Sequence, residues 1–376
     1  MDTASNVTLS ELRERVTAAH NEHRTLRLRG AGTKDFYGEA IEGELLELRP
    51  YRGIVDYEPS ELVITARCGT PLSEIEAALK HRGQFLAFEP PAFKADPTIG
   101  GVIASGLSGP RRMYAGAARD FVLGATLLDA HGEILRFGGQ VMKNVAGFDV
   151  SRLLCGSLGI LGVITEVSLK VLPQPRAEET LRFEMPAQQA LETFNRWSGQ
   201  PLPLSGAAWC NGLAWVRLSG AASAVRAAHE RMGGERIDRT PAAHWWNALR
   251  HHTHPIFTNS TVWRLSVPDT TPPIDLPGHP LIDWGGALRW YAYGGTADAL
   301  IARDDARYSA AAANEGARAR ELATAAGGTA LCWHGHAPPT GRFHPLQPAV
   351  AALHRRLKQH FDPHGIFNPG RLIPGL

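Results

Sequence analysis

Asp96-Pro97-Thr98-Ile99-Gly100-Gly101-Val102-Ile103-Ala104-Ser105-Gly106 is the stretch on which the fold turns. So many small residues in one run imply close backbone approach, either to another backbone or to a flat, bulky ligand. The wider stretch Thr98–Gly109 is too rich in them for an ordinary helix–strand alternation. Upstream, the short alternating strand Leu26–Arg29 runs into Gly30-Ala31-Gly32-Thr33-Lys34. A strand feeding a glycine turn lets backbone N–H groups approach a phosphate that a Cβ would exclude. The loop is not a GxGxxG fingerprint, because Asp35 stands where the third glycine would be, and no Gly-Lys-Ser/Thr follows to make a Walker loop. A plain tight turn is the competing reading. Downstream come Lys143-Asn144-Val145-Ala146-Gly147-Phe148-Asp149 and an apolar run punctuated by Gly156, Gly159 and Gly162. That run leads into the β-branched strand Gly162–Val171, closed by Pro173-Gln174-Pro175. Tight packing alone would also account for such glycine spacing.

The flanking elements are read from periodicity. Leu9, Leu12, Val16 and Ala19 form a helical stripe that Ser10 helps to cap. Strands are expected at Glu44–Leu48, Ile54–Tyr57 and Leu62–Ala66, then a helix Leu72–Lys80 opened by Thr70-Pro71. Phe121–Asp129 and Ile134–Phe137 read as a hairpin around His131-Gly132. All nine tryptophans lie at position 197 or later, so a second domain with different packing begins beyond Pro175. There, strand candidates Leu213–Leu218, Val262–Val267 and Ala287–Tyr293 alternate with helix candidates Ala221–Arg231, Ala297–Arg307 and Glu315–Ala325. The pattern suggests one antiparallel sheet with helices on a face. Pro268–Pro280 reads as a loop.

Composition narrows the function. The chain has 376 residues, 44% of them hydrophobic, with a formal net charge of +2. It carries no clustered Lys/Arg run, so nucleic acid is not an expected partner. Cys68, Cys155, Cys210 and Cys332 are scattered without a CxxC pair, which excludes an iron–sulfur or cysteine-rich zinc site and fits reduced thiols in the cytoplasm. No metal is expected. The N-terminus is polar, and no run approaches ~18 uninterrupted apolar residues, so any membrane association is expected to be indirect, through partners.

Taken together, the segments around positions 30, 98–105 and 156–165 resemble the FAD-binding domain of the vanillyl-alcohol oxidase family, also called the p-cresol methylhydroxylase type. Phe361-Asp362-Pro363-His364-Gly365-Ile366-Phe367-Asn368-Pro369-Gly370-Arg371 resembles that family's closing signature. The resemblance covers about residues 20–175 and 355–374. It implies an α+β protein: a two-subdomain FAD-binding domain at 1–175, a smaller α+β cap for substrate or partner at 176–340, and a C-terminal segment, 341–376, returning to the FAD domain. Gly30, Ala31, Gly32 and Thr33 would wrap the pyrophosphate. Thr98, Gly100, Gly101, Ala104 and Ser105 would line the cofactor, with the Ser105 hydroxyl offered to a phosphate oxygen. Gly162, Val163 and Ile164 would present main-chain groups, and Asn368 would reach back from the C-terminal segment. No histidine stands near Gly30, so the FAD is expected to be held non-covalently.

The short middle region and Gly335-His336-Ala337 with Phe343-His344-Pro345 resemble a small flavoprotein subunit within the family. The function this implies is the FAD-binding subunit of a glycolate (2-hydroxy acid) oxidase complex. Its partners would be a longer FAD-linked oxidase subunit and an iron–sulfur subunit, with a peripheral place on the inner membrane through them. A stand-alone FAD oxidoreductase acting on another hydroxy acid or a sugar alcohol is one alternative. A non-catalytic assembly subunit is the other. Oxidation of a 2-hydroxy acid needs a base near the hydroxyl and a cation for the carboxylate. Base candidates are His334, His336 and His344, with His251, His252 and His254 as a second cluster that also reads as exposed surface. His334-Gly335-His336 lies where larger relatives carry a histidine motif, but without the Gly-Asp-Gly-Asn those relatives add. Arg250, Arg264 and Arg289 are candidate cations for a carboxylate, and Arg111-Arg112 for pyrophosphate or, equally, as a surface pair.

Overall fold

The computed structural model describes residues 7–93, 95–139, 149–296 and 305–376. The chain separates into two compact units. The first comprises Met1–Ser108, Gly116–Gln174 and Pro345–Leu376; the second comprises Gly109–Ala115 and Pro175–His344.

The first unit opens with helix Leu9–Asn21, whose N-cap is Thr8 rather than Ser10. Thr8 Oγ1 accepts from Glu11 N at 3.2 Å, and the Glu11 carboxylate accepts from Thr8 N at 2.6 Å. The Thr-x-x-Glu spacing closes both orphan donors at once, which Ser10 could not do. The helix buries Leu12, Val16 and Ala19 against Leu26, Leu46, Ile366 and Phe367. Strands Leu26–Arg29 and Glu44–Glu47 pair in parallel, and a bridge from Leu26 to Phe367 adds the C-terminal segment to their edge.

Beside this lies a five-stranded antiparallel sheet ordered Ile54–Glu58, Val63–Arg67, Val163–Lys170, Val122–Leu128, Ile134–Gly138. The last two strands form the expected hairpin. The glycine-rich run adopts a helix, Ile99–Ser105, which its composition argued against. Thr98 Oγ1 caps it by accepting from Gly101 N, and Gly106 ends it in the left-handed region at φ 63°. Poor intrinsic propensity is overcome by burial of Ile99, Val102 and Ile103. The absent side chain of Gly100 lets its backbone meet Cys68, whose carbonyl accepts from Gly100 N at 2.8 Å. The Lys143–Phe148 motif lies outside the described residues.

The second unit is an eight-stranded antiparallel sheet. Its order is Glu235–Ile237, Ala177–Glu184, Leu213–Gly220, Leu204–Cys210, His279–Asp283, Leu288–Thr296, Asn259–Ser266, Thr329–His334. Helices Ala187–Ser198 and Ala222–Met232 cover one face through Phe194, Trp197 and Val225 against Leu181, Ala207 and Val216. Helix Arg239–Arg250 takes the other face, where Trp246 meets Thr180, Gly206 and Arg217. Strand residues one apart point to opposite faces, so helices flank the sheet on both sides and not on one. Trp197, Trp209, Trp246, Trp263, Trp284, Trp290 and Trp333 are all buried, which accounts for the tryptophan asymmetry as core packing. Helix Asp305–Ala325 contains the expected Glu315–Ala325 segment, whereas most of the candidate at 297–307 lies outside the described residues. Among the described residues no helix is long and apolar enough to cross a membrane.

Candidate functional site

Three segments distant in sequence meet in the first unit around a cavity of ≈ 280 Å³. Its walls include Gly30, Ala31, Gly32 and Thr33 from the first; Thr98, Gly100, Gly101, Ala104 and Ser105 from the second; and Gly162 and Ile164 from the third, with Asn368 closing it. Val163, expected among them, is absent from the wall. It is fully buried in the core behind and pairs with Leu128 in the sheet. The reason is the period of two: if Gly162 and Ile164 face the cavity, Val163 faces away.

The loop after Leu26–Arg29 is tightly constrained. Gly32 has φ +71°, and a Cβ there would meet the Arg29 guanidinium at 2.5 Å. At Gly30 a Cβ would meet Thr98 Oγ1 at 2.2 Å, so the loop and the helix cap can touch only because that atom is missing. Asp35 N donates to Gly32 O at 3.1 Å and folds the turn. Among the described residues the N–H groups of Gly30, Ala31, Gly32, Thr33 and Lys34 donate to no protein acceptor. Successive unpaired amides of this kind form a concavity that attracts anionic oxygens.

The C-terminal segment holds this loop in place. Asn368, in the left-handed region at φ 41°, accepts from Leu28 N through Oδ1 at 2.8 Å and donates to Leu158 O through Nδ2 at 2.7 Å. Its amide thus ties two walls together as well as facing the cavity. Arg371 donates to Glu39 O at 2.6 Å, Lys34 O at 3.0 Å and Asp35 O at 2.9 Å. Ser105 Oγ donates to Val102 O at 2.9 Å, so its proton is used inside its own helix.

Residues 7–138 match the family described as "FAD binding domain", and residues 292–372 match "FAD linked oxidases, C-terminal domain". Glycolate oxidase subunit GlcE of Escherichia coli is 45% identical over 366 residues, 97% of this chain and 97% of that protein. The chain belongs to the FAD-linked oxidase family. Glycolate oxidase subunit GlcD of Bacillus subtilis is 35% identical over 170 residues, 44% of this chain and 36% of its own. Among solved structures, an alkyldihydroxyacetonephosphate synthase superposes with a TM-score of 0.66, covering 96% of this chain and 74% of that one at 15% identity. That last likeness shows the fold alone.

The cofactor of this FAD-linked oxidase is FAD, and the cavity passes a simple fit test. The acceptor-free amides at 30–34 suit a pyrophosphate, and Gly101, where a Cβ would meet nothing closer than Thr98 Oγ1 at 3.3 Å, leaves room above the helix. Sequence reasoning passed over Arg371 and Lys34, although both stood inside motifs already quoted. Nothing in a sequence shows that an arginine closing one motif grips the carbonyls of another. Arg371→Ala is expected to weaken FAD binding about tenfold, by leaving those carbonyls without their charged donor. Flavin-fluorescence titration checks this, with an unchanged circular-dichroism spectrum as the control.

Several candidate cations prove to be structural. Arg111 pairs with Glu178 and donates to Ser219, while Arg112 lies 4.1 Å over the Trp284 ring, all within the second unit and none in the cavity wall. Arg289 is fully buried and donates to Gly286 O at 2.6 Å and Thr271 O at 2.8 Å, so it serves the fold. The histidines also lie in the second unit. His344 Nδ1 accepts from Ala330 N at 3.2 Å, and its Nε2 lies 3.3 Å from Thr324 Oγ1, pinning strand to helix. His334 ends strand Thr329–His334, and burial followed by the charge of Arg342 lowers its pKa below the usual histidine value. His336 lies just past that strand, its carbonyl 3.5 Å from Cys332 Sγ. His252 is not surface: it stacks on Phe257 at 4.2 Å and meets Trp290 and Trp333 edgewise or tilted. His254 caps the turn Pro255–Thr258 through Nδ1.

Proposed function

We propose that this chain is the FAD-binding subunit of a glycolate (2-hydroxy acid) oxidase complex. The observation that carries the reading is the end-to-end likeness to GlcE, a glycolate oxidase subunit, over 97% of both chains. Its partners are a longer FAD-linked subunit of the GlcD kind and an iron–sulfur subunit. The chain works in the cytoplasm, or peripherally on the inner membrane through those partners. The likeness to GlcD supports the first partner. The iron–sulfur partner belongs to the same proposal and rests on the resemblance to a glycolate oxidase subunit; the thiols of this chain include buried, protonated ones such as Cys68, pushed up to about 12 by burial.

In this reading residues 1–175 with the C-terminal segment hold the cofactor, and the second unit is the cap. The flavin, when bound, supplies the hydride acceptor. The residues here do the rest. The amides of Gly30 to Lys34 bind the pyrophosphate; Arg371 and Asn368 hold that loop against its neighbours; and the Thr98 cap positions the helix along the cavity. FAD held without a covalent link is part of this reading, as the resemblance implies for a Gly30 loop that lacks a histidine. For proton abstraction, His334 has the chemistry of a base, because burial keeps its ring neutral near pH 7. His336 is the second candidate, and His344 is the weakest because both ring nitrogens serve the fold.

The test is a visible spectrum of the purified chain, followed by anaerobic glycolate addition with and without partner subunits. A flavin band that bleaches only with the partners present is the expected result. Bleaching of the isolated chain would favour a stand-alone oxidoreductase. A chain without flavin, unrescued by added FAD, would leave an assembly role.

A further inference from the structure

Lys34 ends the acceptor-free loop, and it belongs to the cavity wall. Its Nζ lies 3.3 Å from Thr33 Oγ1 and 5.4 Å from the centroid of the Phe93 ring. Neither neighbour is an anion. Asp35, the acid beside it, is held by Arg29 through Nε at 2.8 Å and Nη2 at 2.6 Å. Among the described residues Lys34 forms no ion pair. An ammonium taken out of water with no counter-charge is unfavourable unless a bound group supplies one.

The other charged groups on the walls leave this imbalance in place. Arg27, Arg29 and Arg371 are cations, Asp35 is the acid already taken, and Cys68 is a neutral thiol. The cavity therefore carries an excess of positive charge beside five unpaired amides, which calls for a multiply charged anion. Resting on the FAD reading above, we propose that Lys34 pairs its ammonium with the pyrophosphate of the bound dinucleotide, so that cofactor retention depends on a titrating lysine as well as on the backbone loop. Burial supports this by lowering the free Lys34 pKa to about 8.

The sign follows directly. The charged form binds the anion, so affinity is full below about pH 8 and falls as pH rises and the free ammonium is lost. The experiment uses the full chain stripped of flavin and titrated with FAD from about pH 6.5 to about pH 9.5, read by flavin-fluorescence quenching. In the wild type, log Kd is expected to climb above about pH 8. Lys34→Met is expected to bind about 10- to 100-fold more weakly at neutral pH, with that slope gone. Lys34→Arg should regain affinity without the slope, because a guanidinium does not titrate in this range.

Competition by ADP, which carries the pyrophosphate but no flavin, locates the contact. An equal loss for ADP and FAD supports the pyrophosphate. A loss confined to FAD moves the contact elsewhere and overturns the assignment. Wild-type FAD binding with Lys34→Met matching it in affinity and slope would overturn the inference alone; a wild type that takes up no FAD would remove the FAD reading and the inference together. Should Lys34→Met fail to fold by thermal melt, the Lys34→Arg profile decides: flat supports the proposal, sloped as in the wild type overturns it.

Discussion

Gly30→Val is expected to give a folded chain that purifies without flavin. The first added carbon would stand 2.2 Å from Thr98 Oγ1 and 3.2 Å from its Cγ2. Thr98 cannot rotate away freely, because it is β-branched and its hydroxyl caps the helix by accepting from Gly101 N. The loop must move instead, and overpacking of this kind costs about 1–3 kcal/mol. That cost falls on the segment whose amides face the cavity, while the core of the unit, built from Leu12, Val16, Leu26 and Phe367, is untouched. The measurement is the ratio of 450-nm flavin absorbance to protein absorbance after gel filtration, with thermal melting of the apoprotein beside it. The steric argument makes a second claim: Gly30→Ala with Thr98→Ala removes the offending oxygen and should recover flavin that Gly30→Ala alone loses. Full flavin in Gly30→Val would mean that loop and helix do not meet as described.

The second large effect is on stability. Asp362 is almost fully buried and accepts from Lys358 Nζ at 2.6 Å, from Ile366 N at 2.9 Å and from Phe367 N at 2.8 Å. Lys358 in turn donates to Ile160 O and Phe367 O, both at 2.7 Å. Removing the carboxylate in Asp362→Ala strands a buried ammonium and two amides, a loss of about 3–5 kcal/mol. The melting temperature of the first unit should fall accordingly, and flavin should be lost with it, because Asn368 and Arg371 follow on the same segment. Replacing both partners, as in Lys358→Met with Asp362→Leu, should be less harmful than Asp362→Ala, since no charge is then left unpaired. A single Asp362→Ala variant that melts with the wild type would refute the account.

Part of the site could be read in the chain itself. Gly30 and Gly32 announced a loop that needs missing side chains, for local backbone reasons that hold in any context. The hairpin at 122–138 and the strand before Lys170 were equally local. Gly162, Val163 and Ile164 were expected together from the family resemblance, whereas the strand's alternation turns the Val163 side chain into the core. The helix Ile99–Ser105 was harder, because its stability comes from what Ile99, Val102 and Ile103 bury and not from its own propensities. The candidate cations failed for the opposite reason. A run such as Arg111-Arg112 shows charge, but which acid or ring each guanidinium finds depends on residues far away in sequence, Glu178 and Trp284.

What the sequence determined by itself, then, is where the backbone had to be bare and where strands and turns fell, because those are short-range steric and periodic constraints. Tertiary structure alone decided that Arg371 grips the loop carbonyls, that Arg289 and His344 serve the fold, and that Lys34 stands in the cavity wall where, among the described residues, it forms no ion pair. Hydrogen bonds such as that of Arg371 to Lys34 O join groups hundreds of residues apart, and no local pattern specifies which donor will meet which acceptor.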